Sequence, residues 1–282
     1  MGLLDEFLKH VRGKLSEHLR PTREHRRLLL AALSRDGRTI EHASPELLAD
    51  RDFVLAAVAI SARALQYASP EFRADRDIVL SALNERSMRW HAWTLKHAAP
   101  KLQADKCVVL TAVKKCGHAL VHASAQLRAD RDVVLVAVAH NGCALQYASP
   151  ELQADRDVVL AAVANDGYAL GYASFELRAD HAVVLAALTR NDHALKHASP
   201  ELRADRDIVT AAFASSRYAL QYASPKLRAD RGAWMFPRKE LRGQDGQRSS
   251  ARRRHLRKGQ KRSASDFGHS KKSANANCCA NR

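Results

Sequence analysis

The chain has 282 residues, 46% of them hydrophobic and 6% aromatic, with a formal net charge of +16. This apolar content is enough to bury a substantial core, and no apolar run approaches the roughly 20 residues that cross a bilayer. The five cysteines are odd in number and follow no paired spacing, so we expect no disulfide framework and an intracellular protein, cytoplasmic or nuclear.

Residues 1–24 predict an amphipathic helix at the N-terminus. The apolar residues that recur at helical spacing are Leu4, Phe7, Leu8, Val11 and Leu15. The simplest role for such a helix is to cap the first apolar face of the segment that begins at residue 25. Binding at a membrane interface is the alternative.

A 25-residue repeat occupies residues 25–231. Every interval between its marker aspartates is 25 residues except one, which is 30. The markers are Asp50, Asp75, Asp105, Asp130, Asp155, Asp180, Asp205 and Asp230. A strict period of this length is typical of stacked copies of one small unit. Because no stretch shows the alternation of β-strands, we predict an all-α fold, an α-solenoid of short helices.

Each copy predicts three short helical segments. In the copy that begins at Asp155, this carboxylate is placed to cap a helix over the apolar residues 158–163. Gly167 is predicted to end that helix in the manner of a C-terminal glycine. A second short helix follows at 169–173, and the Ser-Pro-Glu-Leu pattern, as at 149–152, then predicts a third, capped by serine.

The repeats resemble the family named domain of unknown function 4116. The resemblance is carried by Asp-Arg-Asp-Val-Val-Leu-Ala-Ala-Val-Ala at 155–164 and by Asn-Gly-Cys-Ala-Leu-Gln-Tyr-Ala-Ser-Pro-Glu-Leu at 141–152. It extends over residues 25–231. The resemblance implies a helical repeat array and no known catalytic residue, cofactor or substrate.

One position varies from copy to copy just before an Ala-Leu pair. Its occupants in the well-aligned copies are Arg63, His118, Cys143, Tyr168, His193 and Tyr218. One such residue per layer predicts a stripe along an edge of the solenoid, the usual place where repeat proteins bind partners. The alternative is a solvated, neutral loop position.

A second position holds only tyrosine or histidine. These residues are His42, Tyr67, His97, His122, Tyr147, Tyr172, His197 and Tyr222. A large ring with a polar tip indicates side chains that fill the seam between layers and hydrogen-bond there. A ladder that stacks nucleobases or a peptide is the alternative.

Two recurring polar patterns resemble those of metal sites and catalytic sites. His118 and His122, like His193 and His197, are spaced as i and i+4, but no glutamate completes a zinc-protease pattern, so we expect no metal site. Aspartate pairs recur in most copies, which favours helix capping over catalysis, since an enzyme needs one site. We therefore expect no catalytic residue, no cofactor and no enzymatic activity.

The 30-residue copy contains Trp90 and Trp93. The pair predicts either a bulged loop whose rings fold back on the array or a protruding apolar contact for a partner.

Residues 232–282 differ from the array in composition. They hold 14 basic and 3 acidic residues, a net charge of +11 that leaves only +5 for residues 1–231. With few apolar groups, this tail is predicted to be disordered. Its basic run is Arg252, Arg253, Arg254, Arg257, Lys258, Lys261 and Arg262. Such a run binds nuclear import machinery or nucleic-acid phosphates, or is a solvated tail.

These observations favour a non-enzymatic scaffold that binds a protein or peptide along the variable stripe. The alternative is a nucleic-acid-associated protein that binds through the basic tail. The sequence identifies neither the partner nor the oligomeric state.

Overall fold

A computed structural model describes residues 23–84 and 91–230, apart from the side chains of Glu24 and residues 91–93. The chain divides after Ala223 into two units. The described part of the second unit is one helix, Pro225–Ala229. Most of the predicted N-terminal helix, Trp90 and the basic run 252–262 lie outside the described residues.

The first unit confirms the predicted all-α repeat architecture. Each of its eight layers begins with a longer α-helix, and no β-strand occurs in the described residues. These longer helices are Arg23–Leu33, Arg51–Ile60, Arg76–Asn84, Lys106–Lys115, Arg131–His140, Arg156–Asn165, His181–Leu188 and Arg206–Ser215. Within residues 23–84 and 91–230, no helix is long and apolar enough to cross a membrane.

Two shorter elements follow the longer helix in each of the first seven layers, and one follows it in the eighth within the first unit. The middle element is a 3₁₀ helix in every layer except the third, which has the α-helix His91–His97. The 3₁₀ helices are Thr39–His42, Ala62–Tyr67, Gly117–His122, Gly142–Tyr147, Gly167–Tyr172, Asp192–His197 and Arg217–Tyr222. The short α-helices are Pro45–Leu48, Pro70–Arg73, Pro100–Gln103, Ala125–Arg128, Pro150–Gln153, Phe175–Arg178 and Pro200–Arg203.

The core is a column of small and branched apolar side chains. In the sixth layer, Val158, Val159, Ala162 and Val163 are all inaccessible to solvent, and so is Leu170 of the 3₁₀ helix. The longer helices of consecutive layers pack against each other, so each layer covers the apolar face of its neighbours.

The predicted caps are present at both kinds of α-helix. Asp155 accepts hydrogen bonds from the backbone N–H groups of Asp157 and Val158, and Ser174 accepts one from Leu177. These bonds satisfy N–H groups that have no partner within the first turn of a helix.

The predicted role of Gly167 is wrong. The cap that ends the preceding helix is Asp166, in an extended conformation (φ −141°, ψ 118°), and Gly167 begins the 3₁₀ helix. No described glycine has a positive φ. A Cβ atom at Gly167 would lie 2.5 Å from the carbonyl oxygen of Ala187 in the next layer. The missing side chain at Gly167 therefore leaves room for the close approach of the two layers at this junction.

Candidate partner-binding surface

The variable residues share one place in the fold. Each is the second residue of the middle helix of its layer in the six copies where that helix is 3₁₀ and fully aligned. They are Arg63, His118, Cys143, Tyr168, His193 and Tyr218. The backbone of Trp93 belongs to helix His91–His97, its side chain is not described, and Trp90 lies outside the described residues.

The backbone at four of these positions is fixed by the residue two places earlier. Asn141, Asp166, Asn191 and Ser216 each accept a hydrogen bond through the side chain. The donors are the N–H groups of Cys143, Tyr168, His193 and Tyr218, at 2.9, 2.9, 2.9 and 3.2 Å. Because these bonds use only the backbone, the side chain of the variable residue can change without disturbing the turn.

The variable position and the Tyr/His position of the next layer meet in space. The His118 ring contacts Tyr147 edge to face, with centroids 5.9 Å apart, and Tyr168 contacts His197 in the same way at 6.0 Å. His193 Nδ1 lies 2.8 Å from the hydroxyl of Tyr222. The two sequence stripes therefore meet in one surface, in which His118, Tyr168 and His193 each lie beside the ring found 29 residues later.

Among the described residues, the longest run of connected rings lies in the sixth to eighth layers. Tyr168 stacks on His193, with centroids 6.3 Å apart and planes inclined by only 9°, and His193 meets Tyr222 edge to face at 5.5 Å. We name Tyr168, His193, His197 and Tyr222 the aromatic row. The rings combine apolar faces with polar tips, the composition typical of contact residues at protein interfaces.

Aromatic side chains in these layers are unusually exposed. Tyr168 is 42% exposed, Tyr172 is 37%, Phe175 is 58% and Tyr218 is 77%. Rings of this size are normally covered when they serve only to fill a core. Three of these exposed rings belong to the sixth layer and one to the eighth, which marks this part of the array as a candidate contact surface.

Cys143 occupies the variable position but is not suited to nucleophilic chemistry. Its thiol donates a hydrogen bond to Asp166 at 3.3 Å. Burial, together with the Asp166 carboxylate, raises the pKa of this thiol to about 11. The group is therefore a neutral thiol near pH 7, whereas a reactive cysteine requires a thiolate.

The paired histidines are engaged in separate interactions. His118 Nδ1 lies 3.0 Å from the side-chain amide nitrogen of Asn141, and His193 is bound to Tyr222. In the described part of the chain, no group of three His, Cys, Asp or Glu side chains is arranged to hold a metal ion. Burial lowers the pKa of each second member, His122 and His197.

Sequence reasoning found the residues of this surface but not how they combine. The period of 25 residues aligns Tyr168 with His193, which stack. It gives no sign that Tyr168 also meets His197, because a contact 29 residues away depends on how far each layer is rotated against the next. The basic run 252–262 of the tail, singled out as a second candidate site, lies outside the described residues.

Comparison with protein families agrees with the repeat geometry. A family model described as Domain of unknown function (DUF4116) matches five segments, 25–73, 50–90, 75–128, 130–178 and 180–228. No curated protein and no solved structure matches the chain. The matched segments extend over the layers of the array and stop before the tail.

Proposed function

This chain belongs to the DUF4116 repeat family, and from its geometry we propose that it is a non-enzymatic scaffold that binds a protein or peptide. The observation that carries the proposal is the aromatic row, with Tyr218 beside it in sequence, on a backbone fixed by side-chain caps. Exposed rings on a fixed backbone, such as Tyr168 and Tyr218, bind a partner at a low cost in conformational entropy, since only two side-chain torsions become ordered.

Recurring and variable residues have different roles within a repeat, and this difference supports the proposal. The recurring residues serve stability: valine, alanine and leucine fill the core, and aspartate and serine cap the helices. The variable position contributes its backbone to the turn and leaves its side chain for other contacts. The aspartates that could resemble catalytic pairs, such as Asp155 and Asp157, belong to this capping arrangement in layer after layer.

A peptide selection tests the scaffold proposal directly. We expect a random peptide library to yield sequences that bind the full-length chain and lose at least tenfold in affinity to the variant Tyr168→Ala/Tyr218→Ala. The matched control is Leu185→Ala, because Leu185 is also an exposed apolar residue (36%) but lies on a longer helix, outside the aromatic row.

Two outcomes separate the alternatives. Loss of binding in the tyrosine variant alone, with an unchanged far-UV circular dichroism spectrum, supports the aromatic row as the binding surface. Equal binding by the tyrosine variant, the control and the original chain would contradict the proposal, because the selected peptides would then be bound elsewhere.

A second candidate function rests on the composition of the tail. The run from Arg252 to Arg262 concentrates basic residues in a segment with few apolar ones, which favours contact with nucleic-acid phosphates or import machinery in a cytoplasmic or nuclear protein. Deletion of residues 232–282 tests it. RNA or DNA binding that weakens steeply with salt and disappears with the deletion would favour this function, and peptide binding that survives the deletion would favour the scaffold.

A further inference from the structure

Two junctions between layers bring an arginine, a lysine and a histidine together. In each, the arginine ends the short helix of one layer, and a Lys-His pair ends the middle helix of the next. The first basic junction consists of Arg73, Lys96 and His97, and the second consists of Arg178, Lys196 and His197.

The same backbone bond closes both junctions. The N–H of Ala99 donates to the carbonyl of Arg73 at 2.8 Å, and the N–H of Ser199 donates to the carbonyl of Arg178 at 2.9 Å. The bond places the arginine of one layer against the segment that follows the Lys-His pair of the next. The two sets of three side chains are therefore equivalent in position.

The first basic junction lines a groove with a volume of about 350 Å³. Three of its eight lining residues are basic and none is acidic. They are Pro70, Arg73, Lys96, His97, Ala98, Ala99, Pro100 and Gln103. The Nε atoms of Arg73 and Arg178 are buried and have no hydrogen-bond partner among the described residues. The Nε atoms of Arg128 and Arg203, which also end short helices, are buried and unpaired in the same way, so the Lys-His pair is what distinguishes the two basic junctions.

Burial first, and neighbouring cations second, lower the pKa of the two histidines. Burial lowers the pKa of His97, and the charges of Lys96, Arg73 and His122 lower it further. Burial likewise lowers the pKa of His197, followed by Lys196 and Arg178. A bound anion would oppose these cations and favour the protonated imidazole.

Neighbouring junctions show that this set is not needed for folding. The arginine position holds Gln103 and Gln153 in two layers, and each glutamine donates through Nε2 to three carbonyl groups of its own layer. The lysine position holds Gln66, Val121, Gln146, Gly171 and Gln221 in other layers, and the histidine position holds Tyr67, Tyr147, Tyr172 and Tyr222.

We propose that the two basic junctions bind carboxylate or phosphate groups on an acidic peptide segment of the protein partner. The proposal rests on the scaffold function and specifies the chemistry of its ligand. Arginine pairs with such oxyanions through two parallel hydrogen bonds, which are stronger than bonds between neutral groups. The second basic junction shares His197 with the aromatic row, and the centroid of that ring lies 6.0 Å from the centroid of the Tyr168 ring. A segment with an acidic group close to an apolar anchor would therefore engage both.

Inorganic phosphate tests the junctions without a partner. In the full-length chain, we expect phosphate to raise the pKa of His97 and His197, followed through their imidazole proton resonances. The variant Arg73→Gln/Lys96→Gln should abolish the effect at His97 and leave it at His197. Both replacements are residues that occupy the same positions in other layers, so the fold should be retained.

The matched control is Arg128→Gln. Arg128 ends a short helix in the same way, but the next layer offers it Gln146 and Tyr147 instead of a Lys-His pair. This variant should leave both phosphate effects unchanged. An undiminished response of His97 in the Arg73→Gln/Lys96→Gln variant, or an equal phosphate-induced movement of the His118 resonance, would overturn the proposal.

Labelled peptides distinguish the two sources of the oxyanion. We expect a hexaglutamate peptide or its phosphoserine counterpart to bind the full-length chain, and the stronger binder identifies carboxylate or phosphate as the preferred group. Neutralising both junctions with Arg73→Gln, Lys96→Gln, Arg178→Gln and Lys196→Gln should weaken binding at least tenfold. Undiminished binding would assign the peptide to another part of the chain and overturn the proposal. The scaffold function would still stand if Tyr168→Ala/Tyr218→Ala lost its selected peptides.

Discussion

At the scale of the residue, one aspartate carboxylate serves two layers. Asp155 Oδ1 accepts from two backbone N–H groups at the start of its own helix, and Oδ2 accepts from Arg131 Nε of the preceding layer at 3.2 Å. The same pairing recurs along the array. Its members are Arg26–Asp50, Arg51–Asp75, Arg76–Asp105, Lys106–Asp130, Arg131–Asp155 and Arg156–Asp180. The marker of the repeat is thus also a link between repeats.

Replacing Asp155 with alanine should destabilise the array by about 1–2 kcal/mol, because a helix cap is lost together with an ion pair. Asp157 is the matched control. It is 77% exposed and accepts from Arg131 at 3.1 Å, and the cap of its helix is Asp155. Asp157→Ala should therefore cost no more than about 0.5 kcal/mol. Urea denaturation measures both values, and equal losses would show that the cap of Asp155 contributes little.

The capping aspartates also make the stability of the array depend on pH. The hydrogen bond from the Val158 N–H lowers the pKa of Asp155, desolvation opposes it, and Arg131 and the Asp157 N–H lower it further. Asp180 follows the same order, with Val183 first, then Arg156 and the Ala182 N–H. Because these values lie below the unfolded pKa of about 3.9, protons bind the unfolded chain more tightly. The stabilisation by these two carboxylates is complete above the unfolded pKa and is lost as the pH falls through the folded pKa.

We therefore expect the free energy of unfolding to decrease as the pH is lowered from about 5 to 3, with a shallower decrease in Asp155→Ala. Urea titrations at several pH values measure the slope. Gly167→Ala is the control, because it changes no titratable group and should keep the original slope. An unchanged slope in Asp155→Ala would mean that this carboxylate does not couple folding to protons.

The sequence indicated the caps but not the links between layers. A capping aspartate before a short apolar run is a local signal, and the contacts of Asp155 with its own helix confirmed it. The pairing of Arg131 with Asp155 joins residues 24 apart, and arginine next to aspartate in the pattern gave no indication of which aspartate it meets. Only the stacking of layers decides that choice.

At the scale of the element, a side-chain cap sets the turn before four of the 3₁₀ helices, and in the sixth layer the neighbouring layer constrains that turn as well. Asp166 fixes the turn through its hydrogen bond to the Tyr168 N–H, and Gly167 leaves room for the carbonyl of Ala187. The sequence suggested a glycine that ends a helix by a left-handed conformation. It could not show the approach of Ala187, 20 residues away, whose carbonyl oxygen limits the size of the side chain at residue 167.

Gly167→Ala should destabilise the array by roughly 1–3 kcal/mol, because its Cβ atom would press on the backbone of the next layer. The matched control is Gly171→Ala. The three atoms nearest to its Cβ would all belong to the ring of His197, the closest at 2.9 Å, and a half-buried side chain can move more easily than a backbone carbonyl. Thermal or urea unfolding measures the difference. An unchanged stability of Gly167→Ala would indicate that the layers can shift to make room for a side chain. Asp192 shows that a side chain is accommodated at the equivalent position of the next layer.

At the scale of the whole molecule, layers are joined by a regular set of backbone bonds in addition to the ion pairs. The donors Ala99, Ser124, Ser149, Ser174 and Ser199 each donate to the last residue of the preceding short helix, at 2.8–2.9 Å. Both sets continue across the 30-residue copy, where Ala99 meets Arg73 and Arg76 meets Asp105. The five extra residues therefore leave the contact between these layers intact, which the change of period alone did not indicate.

Such an array should respond locally to a defect in its core. Leu145 of the fifth layer is inaccessible to solvent. Leu145→Ala should lower the free energy of unfolding of the layers that contact it by about 2–5 kcal/mol. Because each layer packs mainly against its immediate neighbours, we expect hydrogen exchange to accelerate most in helices Arg131–His140 and Arg156–Asn165 and least in Arg51–Ile60. The control is Leu65→Ala, an equally buried leucine of the second layer, which should reverse the order. If both variants accelerated exchange equally in every layer, the first unit would unfold as one cooperative block, and the nearest-neighbour description of its stability would be wrong.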